Sequence, residues 1–312
     1  MAAVELTSPA SPNCQRWLDR RHSWRHVSDG GFDAARFAVA EIPEAVARAF
    51  VCRHHYAGSY PAARFAYGLL TDDETLAVDG TEVDGLALVG VAVLSVPMRA
   101  SVLSNVFPDL EPFTETLELG RLVLTDTPAN AESWFITRVY RMAAERGIRG
   151  VVSFADPMPR QRTVTDVDDT GRLRTTTETL TPGHVGALYQ ATNALSLGRS
   201  TARTLAYVPR AGLVLSDRTL SKVRAQEQGS DAAERHLVKL GARTRAAGED
   251  PRAWLRTALD DIGVTKVRHP GNFRYAWTLG PGARRRRARI VLPQTPYPKA
   301  ETDLLRTVPS VS

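Results

Sequence analysis

The strongest constraint on this chain is one stretch, Glu118–Trp134 followed by Ile148–Pro157, that passes from apolar to polar and back in a fixed order. An apolar strand ending at Leu124 runs into the polar loop Thr125–Pro128 and then into an amphipathic helix closed by Gly147. A second apolar strand, Ile148–Phe154, leads to Asp156. Open α/β sheets build sites in this way, because ligands bind beyond the carboxyl ends of strands, where helix N-termini point their N–H groups. The stretch therefore predicts an anion-binding helix start at Asn130–Ser133 and a carboxylate, Asp156, at a buried strand end.

The same reading extends along the chain. Pro43–Tyr56 reads as a helix, with Pro43 suited to a first turn, and Arg64–Leu70 as a strand. Gly85–Val96 is a near-continuous aliphatic run, as in a strand covered on both faces. Residues 158–182 hold no core and read as a hairpin turning at Asp168–Gly171. His184–Leu197 is expected to be a helix closed by Gly198, Thr204–Val208 a short strand, and 217–262 two or three polar helices broken at Gly229 and near Gly248–Pro251. Phe273, Tyr275, Trp277 and Leu279 alternate as in a strand. Residues 1–30 look irregular, and 281–312 read as a flexible Arg/Pro-rich tail. Alternating strands and helices give the α/β class. The expected architecture is a mixed sheet of six to seven strands flanked by helices over residues 31–280, with a helical insertion before the last strand. Neither GxGxxG nor GxxxxGK[ST] occurs, which argues against a doubly wound nucleotide fold.

Charge is unevenly distributed. The net +6 of the 312 residues hides a contrast: Leu215–Arg289 holds 17 basic against 8 acidic residues, whereas residues 1–215 hold 21 against 24. The basic third is either a polyanion-binding surface or a solvated face. Two cysteines, Cys14 and Cys52, allow at most one bridge, so a reduced, cytoplasmic protein without a signal peptide is expected. The apolar run Leu86–Val96 is too short to span a bilayer.

Four places offer chemistry. His54-His55-Tyr56 ends the first helix ahead of a Gly58/Pro61 turn and can supply a metal ligand, a general base or a C-terminal charge. Asp156 must find a partner or a metal, shift its pKa, or act as a loop anchor. Gly183–Asn193 brings His184, Tyr189, Gln190 and Asn193, with Tyr189 able to move a proton or simply pack. The helix start at Asn130 can hold a pyrophosphate or be a plain cap. No CxxC pair or HExxH is present. A mixed His/Asp/Tyr site would suit iron or manganese.

In order and content, His55-Tyr56, Glu118-Leu-Gly-Arg-Leu122, Asn130-Ala-Glu-Ser133, Val152-Ser-Phe-Ala-Asp156, Gly183–Asn193, Gly198-Arg-Ser-Thr201, Arg218-Thr-Leu-Ser-Lys222 and His269–Tyr275 resemble the Mom family of DNA-modification proteins. The resemblance implies a GNAT-like fold and double-stranded DNA as partner. It implies conversion of the N6 amine of adenine to a methylcarbamoyl or acyl-type derivative that protects DNA from restriction, with acetyl-CoA as donor and a bound iron. It puts catalysis on His55, Tyr56, Asp156 and Tyr189, and the metal on His55 and Asp156. The donor falls on Leu122, Val123, Leu124, Asn130, Ala131, Glu132 and Ser133. Beside it, the basic third gives Arg218, Lys222, Arg224, Arg274, Arg284, Arg285, Arg286 and Arg287 as DNA contacts. Phe273, Tyr275 and Trp277 are either stacking partners for a flipped base or core. No membrane partner is expected, and a homodimer is among the expected assemblies. The chain departs from the compact phage form in its 158–182 hairpin, its basic helical insertion and its Arg-rich tail. Two rivals stand beside this reading: a GNAT N-acyltransferase acting on a non-DNA amine (protein, tRNA or small molecule), and a non-catalytic DNA-binding protein.

Overall fold

The aliphatic run near residue 90 forms the middle of a mixed α/β sheet in the computed structural model, which describes residues 13–18, 21–26, 32–55, 57–128, 130–167, 171–181 and 183–299. In chain order the strands are β1 (Asn13–Leu18), β2 (Arg21–His26), β3 (Phe37–Glu41), β4 (Ala63–Thr71), β5 (Glu82–Val83), β6 (Leu86–Ser95), β7 (Thr116–Leu124), β8 (Gly150–Ala155), β9 (Arg160–Val167), β10 (Leu173–Thr181), β11 (Leu195–Arg199), β12 (Arg203–Val208), β13 (Leu213–Leu215), β14 (Thr265–His269) and β15 (Phe273–Thr278). The helices are α1 (Glu44–His54), α2 (Ser101–Ser104), α3 (Ala131–Glu145), α4 (Ala187–Ala191), α5 (Asp217–Ala225), α6 (Ser230–Lys239), α7 (Pro251–Asp261) and α8 (Gly282–Arg287). The chain divides into two units: residues 1–154, 186–198 and 274–297, and residues 155–185, 199–273 and 298–312.

The first unit is built on the sheet, in the order β11-β15-β8-β7-β6-β4-β3, with β5 pairing β6. From β3 to β7 the pairing is antiparallel. The β7–β8 pair is parallel, as its crossover through α3 requires. Helix α1 buries Ala47, Phe50 and Val51 against Leu70, Leu88, Val91 and Val93, and each fully buried large side chain contributes about 1.5–3 kcal/mol. Leu103, Val106 and Phe107 cover Val152, Leu197 and Ala276. Gly150 is needed there, since a Cβ would lie 2.8 Å from the Phe107 ring. Helix α3 turns Phe135, Ile136, Val139, Tyr140 and Ala143 inward at helical spacing.

The second unit holds the antiparallel sheet β13-β12-β14, the β9–β10 ribbon and the helices α5–α7. Its core is Leu220, Val223, Leu237, Trp254, Leu255, Ala258 and Ile262. Ser216 caps α5 by accepting from Thr219 N–H, and Asp250 caps α7 by accepting from Ala253 N–H, with Pro251 at the first helical position.

Three expectations are corrected. His184–Leu197 is not one helix: only Ala187–Ala191 is helical, because Gly186 and Asn193 sit at φ +77° and +58°, and β11 follows. Gly198 thus lies inside a strand, and Asn193 does not share a helix face with Tyr189. Residues 281–299 are ordered by α8 and by hydrogen bonds from Tyr297 Oη to Ala194 O (2.7 Å) and from Thr295 N to Ser196 O (2.8 Å). The segment 1–30 contains the β1–β2 hairpin; its remaining residues, the hairpin-tip residues Asp168–Thr170 and the chain end 300–312 lie outside the described residues.

Candidate active site

In the first unit, the loop after α1 is tied to β7. His54 and His55 part company at the helix end. His54 Nε2 lies 3.1 Å from Asp79 Oδ2, beside Arg53, and is a structural anchor. Burial works to raise the Asp79 carboxyl, but His54, Thr81 and Arg53 outweigh it and hold it well below the usual carboxylate range. His55 enters the loop instead. Its Nδ1 accepts the Ala57 N–H (3.1 Å), which puts the proton of the neutral ring on Nε2, and its carbonyl accepts the Gly58 N–H (2.8 Å). Tyr56 lies outside the described residues. Arg121 of β7 then grips the loop, donating to Ser59 O and Ser59 Oγ (both 3.0 Å) and to Gly120 O (2.6 Å). The His55 loop and the Glu118–Leu122 segment are therefore parts of one construction.

Glu118 sits where that construction meets the sheet seam. It faces Ser95 on β6 and Val152 on β8. Burial pushes its carboxyl up, against the opposing pull of Arg121. The β7–β8 ladder covers only Thr116–Glu118 with Gly150–Val152. Beyond it, the Ser153 hydroxyl donates to Leu119 O (3.0 Å), and Gly120 is the extra residue of a bulge. A Cβ on Gly120 would collide with Ser95 Oγ. Leu122, Val123 and Leu124 pair with β6, and among the described residues their other edge has no ladder partner. Helix α3 follows, with Asn130 at φ +79° and no side-chain cap. Ala131 N–H donates to Pro128 O (3.1 Å), and Ser133 Oγ donates to Asn130 O (3.2 Å).

Tyr189 belongs to an aromatic cluster in the same unit. Its ring meets Tyr275 and Trp277 edge-on, with centroids 5.3 and 5.4 Å away, and Tyr140 packs on Trp277 at 5.2 Å. Gly186 makes room, since a Cβ there would lie 2.7 Å from the Tyr275 ring. Burial pushes the Tyr275 hydroxyl up to about 12. Phe273, Tyr275 and Trp277 are all buried, so the core alternative holds for these aromatics.

Asp156 lies in the second unit and is heavily engaged. Oδ1 accepts from His269 Nε2 (3.0 Å) and Met158 N–H (2.9 Å), and Arg160 reaches Oδ2 at 3.5 Å. The fully buried His269 accepts the Gly271 N–H at Nδ1 (3.0 Å), which fixes Nε2 as its donor to Asp156. Burial works to raise the Asp156 carboxyl, but His269, Met158 and Arg160 outweigh it and lower it. His184 N–H donates to Asp156 O (2.8 Å), and burial lowers the His184 imidazole against the pull of Asp156. Two glycines permit these close passages: Gly183 beside Pro157 O, where a Cβ would lie 2.5 Å away, and Gly271 beside Ser200 O.

Of the expected DNA contacts, Arg218 is paired with Glu227 (2.6 Å), and Arg274 is half-buried, its guanidinium 6.0 Å from the Phe154 ring centroid and its pKa lowered by burial. Lys222 is half-buried, whereas Arg224 is exposed. Arg285 donates to Gly280 O (2.6 Å); Arg284, Arg286 and Arg287 share α8, and their side chains lie outside what is described.

Sequence reasoning missed Glu118 as a titrating group, although a Glu inside an otherwise apolar strand was the available signal. It picked out the His269–Tyr275 segment but not His269 as the partner of Asp156.

Residues 36–163 match the Mom protein family. The match covers less than half of the chain and takes in His55, Glu118, Arg121, Asn130–Ser133 and Asp156; Tyr189, His269 and α5–α7 lie beyond it. The resemblance drawn from the sequence is to the same Mom family. A solved structure described as a tandem GNAT protein from the clavulanic acid biosynthesis pathway, without AcCoA, aligns over 78% of this chain and 75% of its own at 11% identity, with a TM-score of 0.28 that carries no argument. No curated protein matches the chain. Among the described residues, no helix is long and apolar enough to cross a membrane.

Proposed function

We propose that this chain is a transferase that adds an acyl-type group to the N6 amine of adenine in double-stranded DNA, drawing on an acyl-CoA thioester. The observation that carries the reading is Glu118, a carboxyl raised by burial at the point where the central ladder ends, inside the stretch that matches the Mom family. Adenine N6 is a poor nucleophile because its lone pair is delocalised into the ring, and reaching it in a duplex means taking the base out of the stack at a cost of a few kcal/mol. Transfer therefore needs a base that removes the amine proton as the C–N bond forms; the thioester C–S bond then breaks, and coenzyme A leaves as a thiolate that takes up that proton. Burial raises the proton affinity of Glu118 toward that task. The neutral His55, with its proton on Nε2, donates to the carbonyl oxygen on which charge develops.

The seam fits a donor of this class. An acyl-CoA supplies an acyl group activated as a thioester. The unladdered edge of Leu122–Leu124 would hold its amides as an added strand. The first-turn N–H groups of Glu132 and Ser133 would hold its pyrophosphate, Ala131 being committed to Pro128. Iron does not fit in the same way. Both Asp156 oxygens are engaged, one of them by an Arg, and among the described residues no group of three or more His, Cys, Asp or Glu side chains could hold a metal.

The test is nucleoside mass spectrometry on DNA from bacteria expressing this chain, beside Glu118→Gln. A new adenosine species, absent with the variant, is the expected result. Its mass separates an acetyl group from a methylcarbamoyl group, which carries one more nitrogen than an acetyl thioester can give. Unaltered nucleosides from a soluble, expressed protein would overturn DNA as acceptor and favour a non-DNA amine.

A further inference from the structure

The helices of the second unit sort their charges. Carboxylates are used internally: Glu227 on Arg218, Glu234 on Arg245 and Glu249 on Arg243, with Asp250 capping α7 and Asp261 accepting the Arg243 N–H. Asp217 and Asp231 lie in first turns, where the helix dipole favours them. Besides Lys222 and Arg224 on α5, this leaves a pair of cations one turn apart on each of two helices: Arg235 and Lys239 on α6, and Arg252 and Arg256 on α7. All four are exposed and, among the described residues, form no ion pair, although Asp231 and Asp260 stand four residues from Arg235 and Arg256. Like charges at this spacing destabilise a helix unless an external anion lies across them. On α6 the pair stands opposite the buried Ala233 and Leu237, so it serves no packing purpose. Helix α6 is also the second helix of a helix–turn–helix connection through the short turn 226–229, with Gln226 at φ +49° and Gly229 at φ +86°. DNA-binding modules present their groove-facing helix from that position.

Building on the DNA reading above, we infer that the phosphate contacts of the second unit are Arg235 and Lys239 on α6 and Arg252 and Arg256 on α7, and that Arg218 is not among them. Each cation releases counterions from the duplex, so log K should fall with log salt by about 0.9 per phosphate contacted.

The experiment is fluorescence-anisotropy titration of the full chain with a labelled duplex over a range of salt. R235A/K239A and R252A/R256A should each reduce the magnitude of the slope by about 1.8, with thermal melting unchanged, while R218A should leave the slope as in the wild type. An unaltered slope in both double variants, or a fall confined to R218A, overturns the inference; if the modified nucleoside is still made, the proposed chemistry stands without it. A wild type that binds single-stranded RNA but no duplex also overturns it. Slopes that fall as expected with no modified nucleoside would support these contacts and sink the transferase reading instead.

Discussion

Glu118 and Asp156 are two half-buried carboxylates handled in opposite ways. Glu118 is left with burial as its main influence and one nearby Arg, and its proton affinity rises. Asp156 is surrounded by a His, a main-chain N–H and an Arg, and its proton affinity falls. The sequence made Asp156 the more attractive candidate, because strand ends collect sites. The partners reverse the ranking: a carboxylate whose lone pairs are already filled by a buried His and a peptide N–H holds backbone together, while one with few partners is available to move a proton. Environment, more than position at a strand end, separates the two roles.

The comparison breaks most visibly in activity. Glu118→Gln should slow transfer by about 10²–10⁴-fold, the usual share of a general base, with no loss of melting temperature; an unimpaired rate would remove Glu118 from the chemistry. Asp156→Ala should act on stability. It strands the buried His269 N–H and the Met158 N–H and should cost about 2–4 kcal/mol in urea unfolding. If Asp156→Ala instead leaves stability intact and abolishes transfer, the two roles have been assigned the wrong way round.

The pH dependences should differ in sign. Asp156 has a lowered folded pKa, so its contribution to stability is complete above the unfolded carboxylate pKa and is lost as pH falls through the folded value; Asp156→Asn should flatten that acid limb. Glu118 has a raised folded pKa, so stability declines as pH rises from the unfolded to the folded value, and Glu118→Gln should remove the decline. The smallest effect is expected at the loop grip. Arg121→Lys loses the paired contact with Ser59 and should cost about 1 kcal/mol, read as a several-fold slower transfer with unchanged melting.

Much of the fold was legible. The Gly85–Val96 run, the strand–loop–helix–strand of residues 117–154, the hairpin and the three polar helices all carry local signals, and each forms within a few residues of its expected bounds. The segment 184–197 was misread because its apolar spacing suits a helix, whereas its left-handed positions, Gly186 and Asn193, become decisive only in the folded backbone. The site was less legible. His55 and the Glu118 segment could be picked out, but Arg121 reaching Ser59 across 62 residues could not. Nor could Asp156 meeting His269 across 113. Pairings of that range leave no periodicity behind them.

The short β7–β8 ladder has an implication for how such a protein can change over generations. Leu122, Val123 and Leu124 offer a prospective donor their peptide groups, and substitution alters side chains while leaving peptide groups in place. The strand edge can therefore drift in sequence without losing the peptide groups it presents. Changes that alter chemistry are free to accumulate in the loop that Arg121 holds and in the helices that lie beyond the matched stretch.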